Sequence, residues 1–204
     1  MVKTRIAVLV SGGGTNLQAL LDAQKAGKIP HGEIALVISN KEGAYALTRA
    51  ENFGVKHMVL TGKDFERRLQ EALVEHGIQM IVLAGFMKIL SGDFTSKWPE
   101  RILNIHPALI PSFCGEGYYG LRVHEEALRY GVKVTGATVH FVNEIPDGGR
   151  IIAQKAVDIL DGDTPEILQR RVMEQAEWKI LPAAVRLFCE GRLPVEGRKV
   201  IIKE

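Results

Sequence analysis

Cysteine is scarce in this chain: two residues in 204, Cys114 and Cys189. That excludes a disulfide framework and a cysteine-built zinc cluster, and it predicts free thiols in a reducing compartment, here the cytoplasm. Long apolar runs are missing too. None approaches the roughly 20 residues a membrane-spanning helix needs, so no membrane partner is expected. Ile6 to Val10 follows Lys3 and Arg5 like the start of a signal peptide. The run is too short, and it ends in Ser11 and three glycines, which suits a buried first strand and a turn. An excess of one charge is also lacking: 26 Lys and Arg against 24 Asp and Glu leave +2. That is too little to argue for a nucleic-acid-binding surface, although a local phosphate pocket needs only a few basic residues and backbone amides. No His, Cys, Asp and Glu spacing resembles a metal site, and no Gly-x-Ser-x-Gly elbow is present. Cys114 has no activating neighbour in the sequence.

What is present is an ordinary globular mixture, 46% hydrophobic and 25% charged. Its length suits one α/β domain. Short apolar runs alternate with amphipathic stretches through the first half. Strands are expected at Ile6 to Val10, Ile34 to Ser39, His57 to Leu60, Met80 to Ala84 and Ile102 to Ile105. Helices are expected at Asn16 to Ala26, Ala44 to Phe53, Phe65 to Glu75 and near Phe94. Such alternation predicts an open, mostly parallel Rossmann-like sheet with helices on both faces. Thr15 and Gln18 form a capping-box pattern at the first helix, and Gly27 can stop it. Val134 to Val142 and Ile151 to Ile159 are rich in β-branched residues, which predicts an antiparallel pair joined by a tight connection. Asp163-Thr164-Pro165-Glu166 then opens a helix carrying Ile167, Leu168, Val172 and Ala176 on one face, bent or divided by Pro182.

Four segments carry chemistry. Ser11-Gly12-Gly13-Gly14-Thr15-Asn16 follows strand one and opens helix one. Glycines allow a sharp turn and close backbone approach, and the helix start favours an anion. No Gly-Lys-Ser/Thr follows, so this is not a Walker A loop. Leu17 holds the place of a third dinucleotide glycine, and strand two ends in Asn40 rather than an acid, so phosphate fits and NAD does not. A structural turn with a helix cap is the alternative. In Asn104-Ile105-His106-Pro107, residues two apart on a strand point to one side. An amide and an imidazole then face one point, able to hold a carbonyl oxygen and move a proton. The alternative is a histidine bonded in the core. Asp147, in Ile145-Pro146-Asp147-Gly148-Gly149, can orient an imidazole and raise its pKa, or can simply form a turn. Leu83 to Leu90 is apolar with one cation, Lys88, and suits a flat heterocycle or an ordinary core. Three of these segments follow strands one, four and five, where the crevice of an open parallel sheet lies. His140 alternates along its strand and points either at the site or into the core.

Taken together, these residues resemble the glycinamide ribonucleotide formyltransferase family over nearly the whole length. The resemblance rests on Ser11 to Ala19, Leu83-Ala84-Gly85-Phe86-Met87, Asn104 to Pro111 and Val134 to Val142. It implies a formyltransferase fold in a single domain, 1–204. Residues 1–100 would form the nucleotide- and phosphate-binding half and 101–204 the catalytic and folate-binding half. It implies two small-molecule substrates, glycinamide ribonucleotide and 10-formyltetrahydrofolate as co-substrate, with no metal, and a monomer or homodimer. Gly14, Thr15 and Asn16 would hold the substrate phosphate, and Glu177 its glycinamide end. Leu83, Met87, Lys88, Ile89 and Leu90 would border the pterin, joined by His140, and Lys63 would meet an anionic part of a ligand. Asn104, His106 and Asp147 would be catalytic. This chain departs from the family at Lys88, where arginine is common, and at Arg150, where proline is more usual. Phe113 to Gly120 is expected to be a surface loop or lid. Hydrolysis of 10-formyltetrahydrofolate, formylation of methionyl-tRNA and a non-catalytic nucleotide- or folate-binding module are the rival readings.

Overall fold

A computed structural model describes residues 3–203 of the chain. Seven strands build one sheet: β1 (Thr4–Val10), β2 (Gly32–Ser39), β3 (His57–Val59), β4 (Met80–Leu83), β5 (Ile102–His106), β6 (Val134–Phe141) and β7 (Ile151–Asp158). Their order is β3-β2-β1-β4-β5-β6-β7. The first five run parallel, and β6 and β7 are antiparallel to their neighbours. From β1 the chain steps outward through β2 and β3, then returns to add β4 and β5 on the other side. The sheet therefore has a topological switch point between β1 and β4, where ligand crevices form.

The strands read as continuous apolar runs because both faces are covered. Alternation assigns the faces. Ile6, Val8 and Val10 of β1 and Met80, Val82 and Ala84 at β4 enter one core; Ala7 and Leu9 and Ile81 and Leu83 enter the other. The first core takes its helices from α1 (Thr15–Lys25), α2 (Tyr45–Asn52), α6 (Pro165–Val172) and α7 (Trp178–Cys189). The second takes them from α3 (Phe65–Glu75) and the short α4 (Gly92–Thr95). On β5, Leu103 and Ile105 join the first core and Ile102 the second. Asn104 and His106 therefore lie on the face of Ile102, beyond the reach of its helices.

Several local expectations change. Gly14, in the left-handed region at φ 72°, caps α1 without a side-chain bond; Gln18 instead bonds Arg49 and Asp22. The stop at Gly27 holds, with its N–H on Gln24 O and that of Lys28 on Ala23 O. β6 and β7 are joined by nine residues, 142–150, rather than a tight turn. Thr164 caps α6 as its sequence implies, but Ile167 is half exposed, so that face begins at Leu168. The late helix divides at a π-helical turn, Met173–Glu177, and α7 runs on through Pro182. Two elements were not foreseen: α5 (Leu121–Tyr130) and a small hairpin of β8 (Val195–Glu196) and β9 (Lys199–Val200). Among the described residues no helix is long and apolar enough to cross a membrane.

Candidate active site

A cleft of about 650 Å³ opens at the carboxyl ends of β1, β4 and β5. The glycine loop forms one wall. Its Gly12 and Gly13 carbonyls accept from Ala46 N–H at 3.0 Å and Arg49 Nε at 2.7 Å. Gly14 allows this close docking: a Cβ there would sit 2.6 Å from the Ala46 Cβ. With no side-chain cap at Gly14, the first N–H groups of α1 are left for an outside acceptor, and the helix end favours a negative one.

Antiparallel pairing builds the opposite wall. β6 sets His140 directly across from Asn104 and Thr138 across from His106. A bulge between β6 and β7 falls at Val139 and His140, next to the cleft. Asp147 arrives from the nine-residue connection at φ 54°, a backbone region that Asp tolerates better than most residues. Its Oδ2 accepts from Gly115 N–H at 2.8 Å and lies 3.5 Å from His106 Nδ1. Its Oδ1 lies 3.5 Å from Asn104 Nδ2 and 3.4 Å from His140 Nε2. Asn104, His106, His140 and Asp147 thus form one cluster.

The tautomers follow from groups that can only accept. The Phe141 carbonyl, 2.7 Å from His140 Nδ1, fixes a proton on that nitrogen. Nε2 of neutral His140 is then an acceptor for the Asn104 amide at 3.1 Å. The Asp147 contact of the same nitrogen therefore counts as an ion pair only if that ring becomes doubly protonated. Phe113 O, 2.8 Å from His106 Nε2, likewise fixes a proton there and leaves Nδ1 turned to Asp147. Burial lowers the His106 pKa, and although the Asp147 charge and the Phe113 carbonyl raise it, burial wins. His106 is therefore neutral at pH 7, and Asp147 alone does not charge it. Burial also pushes the Asp147 carboxyl up, but His140 and His106 in their protonated forms, with the Gly115 amide, hold it below the usual range.

The late helix closes the site from a third side. The π-helical turn adds one residue to a helical repeat and carries Glu177 into the interior, 4% exposed. Its Oε2 accepts from Asn16 Nδ2 at 2.5 Å, while the Asn16 Oδ1 is buried without a partner. Burial, partly offset by the Asn16 bond, raises the Glu177 pKa to about 7.

Leu83 and Leu90 are buried beside the cleft, and Met87 and Ile89 are exposed at its edge. The Lys88 ammonium sits over the Phe65 ring, 4.9 Å from its centre, a monodentate cation–π contact that a flexible amine can make. Gly14, Thr15, Asn16, Leu83, Met87 to Leu90, Asn104, His106, His140, Asp147 and Glu177 all line this one cleft; Lys63, exposed on the connection before α3, does not. Burial raises the Cys114 thiol pKa, assisted by the Asp147 charge, which keeps it protonated. Sequence reasoning missed His124, Gln169 and Met173 on the lining. His124 is buried with both ring nitrogens unpartnered, and burial lowers its pKa to about 4, assisted by His106. The signal for it was the spacing of Val123 and Ala127, which marks one face of α5. Among the described residues, no group of three or more His, Cys, Asp and Glu is arranged to hold a metal ion.

Comparison with known proteins adds to this geometry. A family model described as formyl transferase matches residues 4–185. Over 195 residues the chain is 44% identical to a phosphoribosylglycinamide formyltransferase of Haemophilus influenzae, covering 93% of this chain and 89% of that protein. It is 45% identical over 208 residues to the trifunctional purine biosynthetic protein adenosine-3 of Gallus gallus, and spans about a fifth of the length of such relatives (20%). The solved structure of glycinamide ribonucleotide transformylase 1 from Symbiobacterium toebii superimposes with a TM-score of 0.92 at 45% identity, covering 99% of this chain and 95% of that one.

Proposed function

The chain belongs to the formyl transferase family, and from that premise we propose that it moves the formyl group of 10-formyltetrahydrofolate to the amine of glycinamide ribonucleotide. It does so as one domain and without a metal. The observation that carries this reading is the convergence of the glycine loop, the Leu83–Leu90 segment and the Asn104, His106 and Asp147 cluster on a single cleft. Each supplies one requirement of the reaction. The loop at Gly14, Thr15 and Asn16 takes the substrate phosphate. Glu177, tied to Asn16, meets the glycinamide end. Leu83, Met87, Lys88, Ile89 and Leu90, with His140, border the pterin. Lys63, off the cleft wall, is assigned to the anionic tail of the folate.

The amine nitrogen attacks the formyl carbon, and the carbonyl electron pair moves to oxygen. The Asn104 amide stabilises that oxyanion. Its two protons face His140 and Asp147, and the 3.5 Å contact to Asp147 is the weak one, so a ligand oxygen displaces it. The attacking nitrogen gives up a proton. His106 Nδ1 is the free base of the cluster, and the Asp147 carboxylate holds the imidazolium that forms. Return of that proton to the folate nitrogen breaks the carbon–nitrogen bond and releases tetrahydrofolate and the formylated product. The partners are small molecules.

The test is turnover of 10-formyltetrahydrofolate with and without glycinamide ribonucleotide, in the wild type and in His106→Ala. Turnover that requires the nucleotide, and that falls about a hundred- to thousand-fold in the variant, is expected. Equal turnover without the nucleotide would make the protein a hydrolase. Binding of both ligands with no turnover would make it a binding module.

A further inference from the structure

We propose that Ser11 is a positioning residue that couples the phosphate loop to the folate-binding segment, so that each ligand tightens the site of the other. The inference rests on the transferase reading above. Ser11 follows the last residue of β1, opens the glycine loop and is 6% exposed. Its hydroxyl donates to Asn40 Oδ1 at 2.7 Å and accepts from Met87 N–H at 2.8 Å. A hydroxyl has one proton and two lone pairs. With the proton held by Asn40, a lone pair is aimed at Met87. Asn40 follows β2 and Met87 follows β4, so one oxygen ties the ends of three adjacent strands across the topological switch point.

The other anchors of the loop run elsewhere. Gly12 and Gly13 bond to Ala46 and Arg49 on α2, which do not line the pterin side. Met87, Lys88 and Ile89 form an exposed wall. A phosphate that orders residues 12–16 therefore fixes Ser11, and a fixed Ser11 holds the Met87 amide and with it that wall. By linkage, a folate that settles the wall strengthens phosphate binding by the same factor.

Tetrahydrofolate lacks the formyl group, so it can be titrated together with glycinamide ribonucleotide without reaction. Calorimetry with each ligand, alone and with the other saturating, gives the coupling factor. In the wild type we expect about fivefold or more, and slower hydrogen exchange at the Met87 amide when glycinamide ribonucleotide alone is added. In Ser11→Ala both ligands still bind, the factor falls to within about twofold of unity, and the Met87 effect disappears. A merely structural serine would weaken both ligands and keep the factor. Should Ser11→Ala fail to fold, Asn40→Ala frees the hydroxyl to rotate and is expected to lower the factor in the same direction. A wild-type factor of one, or an unchanged factor in whichever of these variants folds, overturns the coupling while leaving the transferase reading intact. Failure of the wild type to bind either ligand overturns both.

Discussion

Replacing Asp147 with Asn removes one negative charge and changes almost no volume. Asn tolerates the φ of 54° found at this position, and its side-chain oxygen can still accept the Gly115 N–H. The backbone of the connection should therefore survive, leaving the charge as the variable. Two unit charges 3.5 Å apart, the His106 to Asp147 distance, interact by about 5 kcal/mol at an effective dielectric near 20. Asp147 is 13% exposed and faces an open cleft, so solvent reduces this to about 3–4 kcal/mol, or a hundred- to thousand-fold in rate. The imidazolium forms only as the amine gives up its proton, so the loss should fall on kcat rather than KM. The same substitution removes a group that raises the His106 pKa, already lowered by burial, and should lower it further. Single-turnover kinetics and a proton NMR titration of His106 read the two effects separately. A kcat within about threefold of wild type, or a His106 that titrates higher in the variant, would refute the assigned role of Asp147.

Glu177 gives a stability test with a definite sign. Its carboxyl holds a proton up to about 7 when folded, against an ordinary value of 4.5. Between those values the folded state carries the extra proton, so stability falls as pH rises through that window and levels off above it, by about 3 kcal/mol in all. Urea unfolding at pH 4.5 and pH 8 should show this decline in the wild type and little of it in Glu177→Gln; an equal decline in both would remove Glu177 as its source. For Gly14→Ala, a Cβ 2.6 Å from Ala46 at φ 72° forces the loop off α2. The KM for glycinamide ribonucleotide should rise about tenfold or more, with a lowered melting temperature; an unchanged KM would separate the loop from phosphate binding. Cys114→Ser should keep activity within about twofold, because a thiol with a raised pKa is a poor nucleophile. Loss of activity with a normal melting temperature would reopen covalent catalysis.

The parallel half of the fold was legible because buried strands in a two-faced sheet write themselves as apolar runs. The five runs that led to β1 to β5 agree with the structure to within a residue or two at each end. The less legible features depend on partners distant in sequence. Thr15 and Gln18 have the spacing of a capping box, yet Arg49 takes Gln18 and α2 presses Gly14 into the cap. The π-helical turn leaves no mark in hydrophobic periodicity, because what it accomplishes, presenting Glu177 to Asn16, involves a partner 161 residues away. α5, directly after the loop expected at Phe113 to Gly120, was readable from Val123, Ala127 and the Gly131 stop.

The site itself shows where sequence reasoning must stop and register must take over. Two-residue spacing put Asn104 and His106 on one side of β5, and the structure agrees. The position of His140 was open, because alternation along β6 fixes which residues share a face but not which face meets β5. Antiparallel pairing resolves it by setting His140 opposite Asn104. That single register choice makes His140 Nε2 the acceptor for the Asn104 amide and orients the donor assigned to the oxyanion in the proposed reaction. A slip of one residue would turn Val139 to the cleft and His140 into the apolar core. The bulge at Val139 and His140 then lets β7 follow without repeating the shift in β6. Asp147 depends on the same strand pair, since the connection that presents it starts where β6 ends and Gly149 packs against the Phe141 carbonyl with no room for a Cβ, 1.7 Å away. Cross-strand register, rather than the identity of any one residue, converts an amide, two imidazoles and a carboxylate into a group able to move a proton and hold a developing charge.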